Sequence, residues 1–170
     1  HANQGGRSYA EQLPTRLDAD FRMIIVPIPS EIKTDEAHAE VLSSPLFRAR
    51  LKTVNGMLSA MKSAVGNGDI STIGQLAEED TLNLHAITMT GKSHMVLWEP
   101  QTVKIIHEVV RMRQEKLAVW YSVDTGPSVF ANTSAKDVKE VARRLFELGS
   151  ENAIISRVGG KPVLTRAHVF

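Results

Sequence analysis

Apolar residues recur along this chain in two rhythms, one of period two and one of period three to four, and the rhythms alternate in a readable order. The first clear run is "FRMIIVPIP" (residues 21–29), whose β-branched residues predict a buried strand closed off by two prolines. Ahead of it, "SYAEQLP" (8–14) reads as a short edge strand. "KTDEAHAEVL" (33–42) predicts a short helix with Thr34 as N-cap and acids in its first turn. The longest helix starts from Ser44 as N-cap and Pro45 at the first helical position. In it Phe47, Leu51, Val54, Leu58, Met61 and Val65 repeat at steps of four and three and are expected to face inward. "GNG" (66–68) stops that helix, and Asp69 caps the next. The second stripe runs Ile73, Leu76, Asp80, Leu84, Ile87, so an acid fills one apolar slot. Such an acid needs a partner, because an unpaired buried carboxylate is costly. A third long helix opens at Pro100 and turns Val103, Ile106 and Val110 inward.

The period then changes to two. In "KLAVWYSVD" (116–124), Leu117, Val119, Tyr121 and Val123 share one face of a strand, and Ala118, Trp120, Ser122 and Asp124 share the other. After a Thr-Gly-Pro break, "PSVFAN" (127–132) pairs back. Ser134 and Asp137 make a capping-box-like start to a helix with Val138, Val141, Leu145 and Leu148 inside and Gly149 at its end. "NAIISRV" (152–158) is the last strand, and "GGKPVLT" turns into a tail. The order predicts an α+β fold on the ferredoxin-like split βαβ plan. Its sheet is mostly antiparallel, its helices pack on one face, and extra helices are inserted between the first two strands.

Composition narrows the classes. The chain's 170 residues fit one domain with a real core, and 42% hydrophobic with 23% charged residues is ordinary for a soluble globular protein. A net charge of +1 leaves no electrostatic footprint for nucleic acid or an anionic membrane. No apolar run is long enough to span a bilayer, and no signal peptide is recognised. The absence of cysteine excludes disulfides, iron–sulfur clusters and thiolate zinc, and fits a reducing cytoplasm. The six histidines are scattered, with no pair at i, i+4, so no metal site is expected. Neither G-x-x-x-x-G-K-[ST] nor G-x-G-x-x-G occurs, so the chain has no recognisable phosphate cradle. "HANQGG" opens without an initiator Met, as a tag remnant or a piece of a longer chain would.

Three places are candidates for chemistry. Asp80, Asn83 and His85 form a polar knot, expected to tie their helix to a neighbour. "TGKSHM" (90–95) reads as a solvated loop, with a phosphate-contacting Lys92 as the alternative and His94 beside it. Asp124 is the strongest. It ends the strand on the face of Trp120 and Ser122, ahead of Gly126-Pro127, a compact corner that lets a ligand approach the backbone. The plain alternative is a turn Asp that bonds its own downstream backbone.

These stretches, taken in order, resemble the mevalonate diphosphate decarboxylases of the GHMP kinase superfamily. "YSVDTGPSVF" is similar to that family's Y-x-x-D-A-G-P-N segment, and "SSPLFRARL" to its S-x-L-F-x-x-R helix start. "MKSAVGNGDISTIGQLAEEDTLNLHAI" looks like its D-S-N-x-x-H-A stretch, with Asp80 and His85 in register, and "IISRVGG" like its I-T-R-V-G ending. The pair Gly5–Gly6 falls where the family's C-terminal half has two glycines. The resemblance implies a single C-terminal domain over residues 1–170 of a longer two-domain enzyme whose ATP-binding N-terminal half is absent, so this chain alone is expected to be inactive. It implies an ATP-dependent mevalonate-phosphate decarboxylase making an isopentenyl phosphate for isoprenoid biosynthesis. Asp124 would be the catalytic carboxylate that orients the substrate's 3-hydroxyl or takes its proton, and Thr125 and Gly126 would touch substrate. ATP with Mg2+ would be bound mainly by the missing half. The expected partners are a mevalonate phosphate and ATP, with neither nucleic acid nor membrane, and a homodimer stays open.

Mevalonate 3-kinases are similar proteins that lack this Asp, so its presence favours the decarboxylase. The rivals are a small-molecule kinase of the same superfamily and a free-standing ferredoxin-like regulatory domain. The chain departs from the family pattern at His1, which stands where the family has a substrate-contacting Arg. It departs again at "TGKSHM", in place of a Thr-Tyr-Pro-Pro loop, and at Thr125 and Ser128, in place of Ala and Asn. The substrate's phosphorylation pattern therefore stays open among 5-monophosphate, 5-diphosphate and 3,5-bisphosphate.

Overall fold

The β-branched run that opens the sequence pattern becomes a central strand, flanked on both sides. In the computed structural model, which describes residues 2–4, 7–9, 12–17, 19–30, 34–150 and 152–160, eleven elements follow in order. They are β1 (Ala2–Gln4), β2 (Arg7–Tyr9), β3 (Phe21–Val26), α1 (Thr34–Val41), α2 (Phe47–Asn67), α3 (Ile70–Met89), α4 (Pro100–Gln114), β4 (Val119–Ser122), β5 (Val129–Ser134), α5 (Val138–Glu147) and β6 (Ile154–Arg157). The main sheet has the order β4-β5-β3-β6 and is antiparallel throughout, with Ser122 opposite Phe130 and Val26 opposite Val129. Leaving the inserted helices aside, β3-α4-β4-β5-α5-β6 in this order is the split βαβ plan that the pattern predicts.

Alternation decides what each face carries. Ile24, Val26, Val119, Tyr121, Val129 and Ala131 meet Ile105, Val109 and Met112 of α4 and Val141 and Leu145 of α5 in one core. Fully burying an aliphatic side chain of this size contributes about 1.5–3 kcal/mol, so this layer supplies most of the hydrophobic stabilisation. Outside it, Arg144 of α5 bridges Glu108 at 2.6 Å and also pairs with Glu115. The inserted helices go elsewhere. The α2–α3 hairpin runs along the free edge of β4 and covers part of the opposite face, where Trp120 packs with Leu17, Ala64, Ile70 and Ile73.

The reason lies in the edge strand. On its outer side β4 has backbone groups with no strand to pair with, and α3 supplies side chains for them. Glu78 Oε1 accepts from the Tyr121 N–H at 3.1 Å, and Thr81 Oγ1 accepts from the Val123 N–H at 3.1 Å. Arg113 of α4 donates to Glu78 at 2.6 Å and to the Val119 carbonyl at 3.1 Å. An unpaired edge would otherwise template association with another chain.

Several expectations change. Of the strand expected over residues 8–14, Ser8 and Tyr9 belong to β2, which pairs with Ala2–Gln4 in a separate two-stranded ribbon; residues 12–14 are not in a strand, and residues 10 and 11 lie outside the described residues. Thr34 does begin α1, but its side chain lies outside the described residues, as do Gly5, Gly6 and His1. Helix α2 starts two residues after Pro45, since Ser44 Oγ accepts from Leu46 N–H in a preceding turn and also bonds Thr90. Its apolar stripe is not buried: Leu51 and Leu58 are 53% and 52% exposed, and Ala64 is its one buried residue. On α3 the predicted stripe is divided: Ile73 packs on Trp120 and Ile87 is buried, but Leu76, Asp80 and Leu84 line a cleft, and Gly74, Glu78 and Thr81 are the residues seated on β4 and its end. On α4 the buried face is Thr102, Ile105, Ile106, Val109 and Met112, leaving Val103 partly exposed, because the sheet sits one position round from the predicted stripe. The Asp69 cap, the left-handed Gly68 and the Ser134–Asp137 start of α5 are as the pattern predicts.

The closest approach of α3 to the sheet needs a glycine. A Cβ on Gly74 would lie 2.3 Å from Trp120 Cγ and Cδ2, inside any real contact. Gly74→Ala should therefore destabilise the protein by about 1–3 kcal/mol despite alanine's better helix propensity, which denaturant unfolding would measure.

Candidate active site

Because α3 is committed to the edge of β4, the apolar stripe of α2 is left facing a cleft. The cleft, about 340 Å³, has walls of Val54, Met57, Leu58 and Met61 from α2 and Leu76, Ala77 and Leu84 from α3, with Phe130 from β5. Four polar residues line it: Asp80, Thr81, Ser122 and Asp124. Ser122 is fixed by Asn132, whose amide donates to Ser122 Oγ at 3.1 Å. Thr81 is already engaged by the Val123 backbone.

Asp124 sits two residues past the end of β4, where the alternation directs it to the cleft side of the sheet. It is exposed, and its carboxylate makes no hydrogen bond or ion pair with any described residue, so it does not cap its own turn. The turn behind it is held on several sides. Gly126 has φ 88°, and a Cβ there would come within 2.8 Å of the Leu97 carbonyl. Thr102 Oγ1 at the start of α4 donates to the Pro127 carbonyl at 2.7 Å, and Ser128 Oγ accepts from the Ile28 N–H at 3.0 Å. A free carboxylate on a pinned backbone can accept a hydrogen bond from an alcohol, or its proton, at a fixed place. Thr125 and Gly126 are in the same turn but are not among the residues lining the cleft.

The expected knot of Asp80, Asn83 and His85 does not form. Five positions along a helix is a turn of about 140° net, so Asp80 and His85 leave α3 in different directions. Asp80 faces the cleft and pairs with Arg50 of α2 at 2.7 Å, with side-chain exposures of 46% and 17%. His85 faces the other way and is 1% exposed. Its ring stands 5.0 Å from that of Trp98, and neither ring nitrogen has a hydrogen-bond partner. Burial pushes the imidazole below its ordinary pKa. The backbone of Val123 and Asp124 and the Asp124 carboxylate oppose that shift without overcoming it.

Lys92 and His94 are exposed and do not line the cleft; their loop is tied down through its backbone, Lys92 N–H to Ser43 Oγ at 2.9 Å and Ser93 N–H to Glu40 Oε1 at 2.6 Å. Sequence reasoning missed Arg50 as the partner of Asp80, for the two lie on different helices. It also missed the apolar wall, whose periodicity was present but read as core.

The profile of the mevalonate 5-diphosphate decarboxylase C-terminal domain matches residues 33–165, a span that contains every residue of the cleft. The chain belongs to this family. A phosphomevalonate decarboxylase of Haloferax volcanii is 35% identical over 162 residues, covering 95% of this chain and 50% of the relative. A mevalonate-3-kinase of Picrophilus torridus is 27% identical over 131 residues, 76% of this chain and 39% of its own length. Among solved structures, the mevalonate diphosphate decarboxylase of Enterococcus faecalis, studied for mevalonate diphosphate mediated ATP binding, superimposes with a TM-score of 0.82. It does so at 20% identity over 91% of this chain and 48% of that one. The chain thus spans about half the length of the decarboxylases it matches. The ferredoxin-like expectation and the family resemblance both hold.

Two stability experiments follow from the site. Asp80→Ala leaves the largely buried Arg50 guanidinium without its counter-charge. It should cost about 1 kcal/mol in chemical denaturation, the half-exposed carboxylate keeping the loss small. His85 is held below its ordinary value of 6.5, so the unfolded chain binds its proton first as pH falls. Its stabilising contribution is complete above pH 6.5 and is lost as pH drops through the depressed folded value. Melting temperatures of His85→Phe should show a correspondingly weaker decline on that acid side.

Proposed function

We propose that this chain is the substrate-side domain of an ATP-dependent decarboxylase of a phosphorylated mevalonate, with Asp124 as its catalytic carboxylate. The observation that carries the reading is the Asp124 carboxylate, unpaired at the cleft on a turn fixed by Gly126, Thr102 and Ser128. Asp124 accepts the hydrogen bond of the substrate's tertiary 3-hydroxyl and aims that oxygen, taking its proton as the oxygen attacks. The apolar wall of α2 and Phe130 receives the methyl and methylene groups beside that carbon. Thr125 and Gly126, which follow Asp124 in the same turn, contact the substrate at the rim of the cleft.

Two carboxylates, two hydroxyls and an apolar wall suit an alcohol and a hydrocarbon, not a triphosphate. ATP and Mg2+ are therefore assigned to the half of the relatives' length that this chain does not span. When bound, ATP supplies the phosphoryl group that turns the 3-hydroxyl into a leaving group, after which phosphate and CO2 depart to give an isopentenyl phosphate. Phosphomevalonate is the substrate to test first, since the relative with 35% identity is named for it. The lack of cysteine is in keeping with a cytoplasmic setting. The relation to a mevalonate-3-kinase keeps one rival reading, a stable 3-phosphate product without loss of CO2.

The assay is of the full-length protein with Mg-ATP and phosphomevalonate, measuring CO2, ADP and phosphate together. Equal release of the three is expected, and a stable phosphorylated product would favour the kinase. Asp124→Asn should lower turnover by about 10²–10⁴-fold, with KM and melting temperature little changed, because Asn keeps the size and loses the basic oxygen. By calorimetry, the 170-residue chain alone should show no micromolar affinity for ATP.

A further inference from the structure

Behind the Asp124 turn lies a buried histidine. His85 is 1% exposed, and both ring nitrogens are buried without a partner, as is Trp98 Nε1 beside it. A buried polar group of this kind carries a desolvation cost that a purely packing side chain would avoid. Its surroundings are specific. One helical turn before it, Thr81 bonds the Val123 N–H; above it, the Gly126 turn comes so close that a Cβ there would sit 3.5 Å from His85 Cε1. Trp98 closes the remaining side with its ring tilted at 56°. Trp98, Leu97 and Gly126, packed round the imidazole, are uncharged, and Asp124 is the charged group that acts on it. The neutral ring has one N–H to give, and the backbone carbonyls of Val123 and Asp124 are the acceptors that neighbour it.

We propose that His85 is the positioning residue of Asp124, donating a ring N–H to a Val123 or Asp124 carbonyl in the substrate complex and so fixing where the carboxylate points. The inference rests on the reading of Asp124 as the catalytic carboxylate and deepens it. His85 touches neither substrate nor reacting atoms; it acts through the backbone of the turn. In the structure at hand the donor is unpaired, and the bond forms when substrate engages Asp124 and the turn settles.

The test uses the full-length enzyme with His85→Gln and His85→Phe, alone and combined with Asp124→Asn. Gln keeps an N–H donor but packs poorly beside Trp98; Phe packs well and donates nothing. A positioning role ranks Gln above Phe in kcat, with Phe down about 10²-fold and KM for phosphomevalonate little changed. In the Asp124→Asn background, either replacement at His85 should cost nothing further. A purely packing role would reverse the ranking, with Phe at full turnover, and would overturn the proposal, as would losses that add to that of Asp124→Asn. On the unsubstituted enzyme, which has no folding question, the His85 ring 15N signals should move to hydrogen-bonded positions when phosphomevalonate is added. Unmoved signals would also overturn it. If Asp124→Asn alone were silent, the reading of the acid would fail and this inference with it. If Asp124→Asn is crippled while His85→Phe is not, only the inference fails.

Discussion

The free edge of β4 is the constraint around which the rest of this domain is arranged. A strand with one unpaired side must have its outward N–H and C=O groups answered. Here Glu78 and Thr81, one turn apart on α3, take the Tyr121 and Val123 N–H groups, while Arg113 serves both Glu78 and the Val119 carbonyl. A helix thus does for β4 what a fifth strand would do. The contact also fixes the rotation of α3: its polar and small side must face the sheet, with Gly74 against Trp120.

Fixing α3 in this way creates the site. Leu76, Ala77 and Leu84 are turned from the strand toward α2, and α2 reaches the sheet only near its end, at Ala64. The space between becomes a cleft with hydrocarbon walls, and Asp124, two residues past the strand, continues the strand's cleft-side face. The ladder between β4 and β5 holds the strand in register, so the carboxylate's height is set by Ser122 opposite Phe130. From the other face, α4 fixes the turn itself through Thr102.

The charged groups divide by the same geometry. Glu78–Arg113 and Glu108–Arg144 are largely shielded pairs that join elements, and their removal would strand a partner. Arg143 with Glu140 and Glu147 is exposed along α5 and contributes little to stability, although it holds the Glu140 carboxyl below its usual range. Asp80 stands between these classes. Arg50 engages it, yet it remains on the cleft surface, so the cleft carries one neutralised and one free carboxylate.

Much of this was legible in the sequence wherever a local period or cap decides the outcome. The alternation through Val119–Val123 names both faces of β4 and sends Asp124 to the correct one. Asp69, Gly68 and Gly149 mark helix ends because caps are satisfied within a few residues. The ordered short segments around Ser44, Asp80, Asp124 and Ile154 carried the family resemblance. Periodicity names an apolar stripe but does not say what the stripe meets. Helix α2 showed a regular stripe and left most of it over a cleft, while α3 set Gly74, Glu78 and Thr81 against the strand as well as Ile73. The pairing of Asp80 with Arg50 and the burial of His85 under the Asp124 turn join residues about thirty and forty positions apart, and packing alone brings them together. The sequence by itself determined the elements, their order and the acid at the strand's end. Only the tertiary structure decided that this acid is unpaired and backed by a buried imidazole, because those facts depend on how α3 seats on β4.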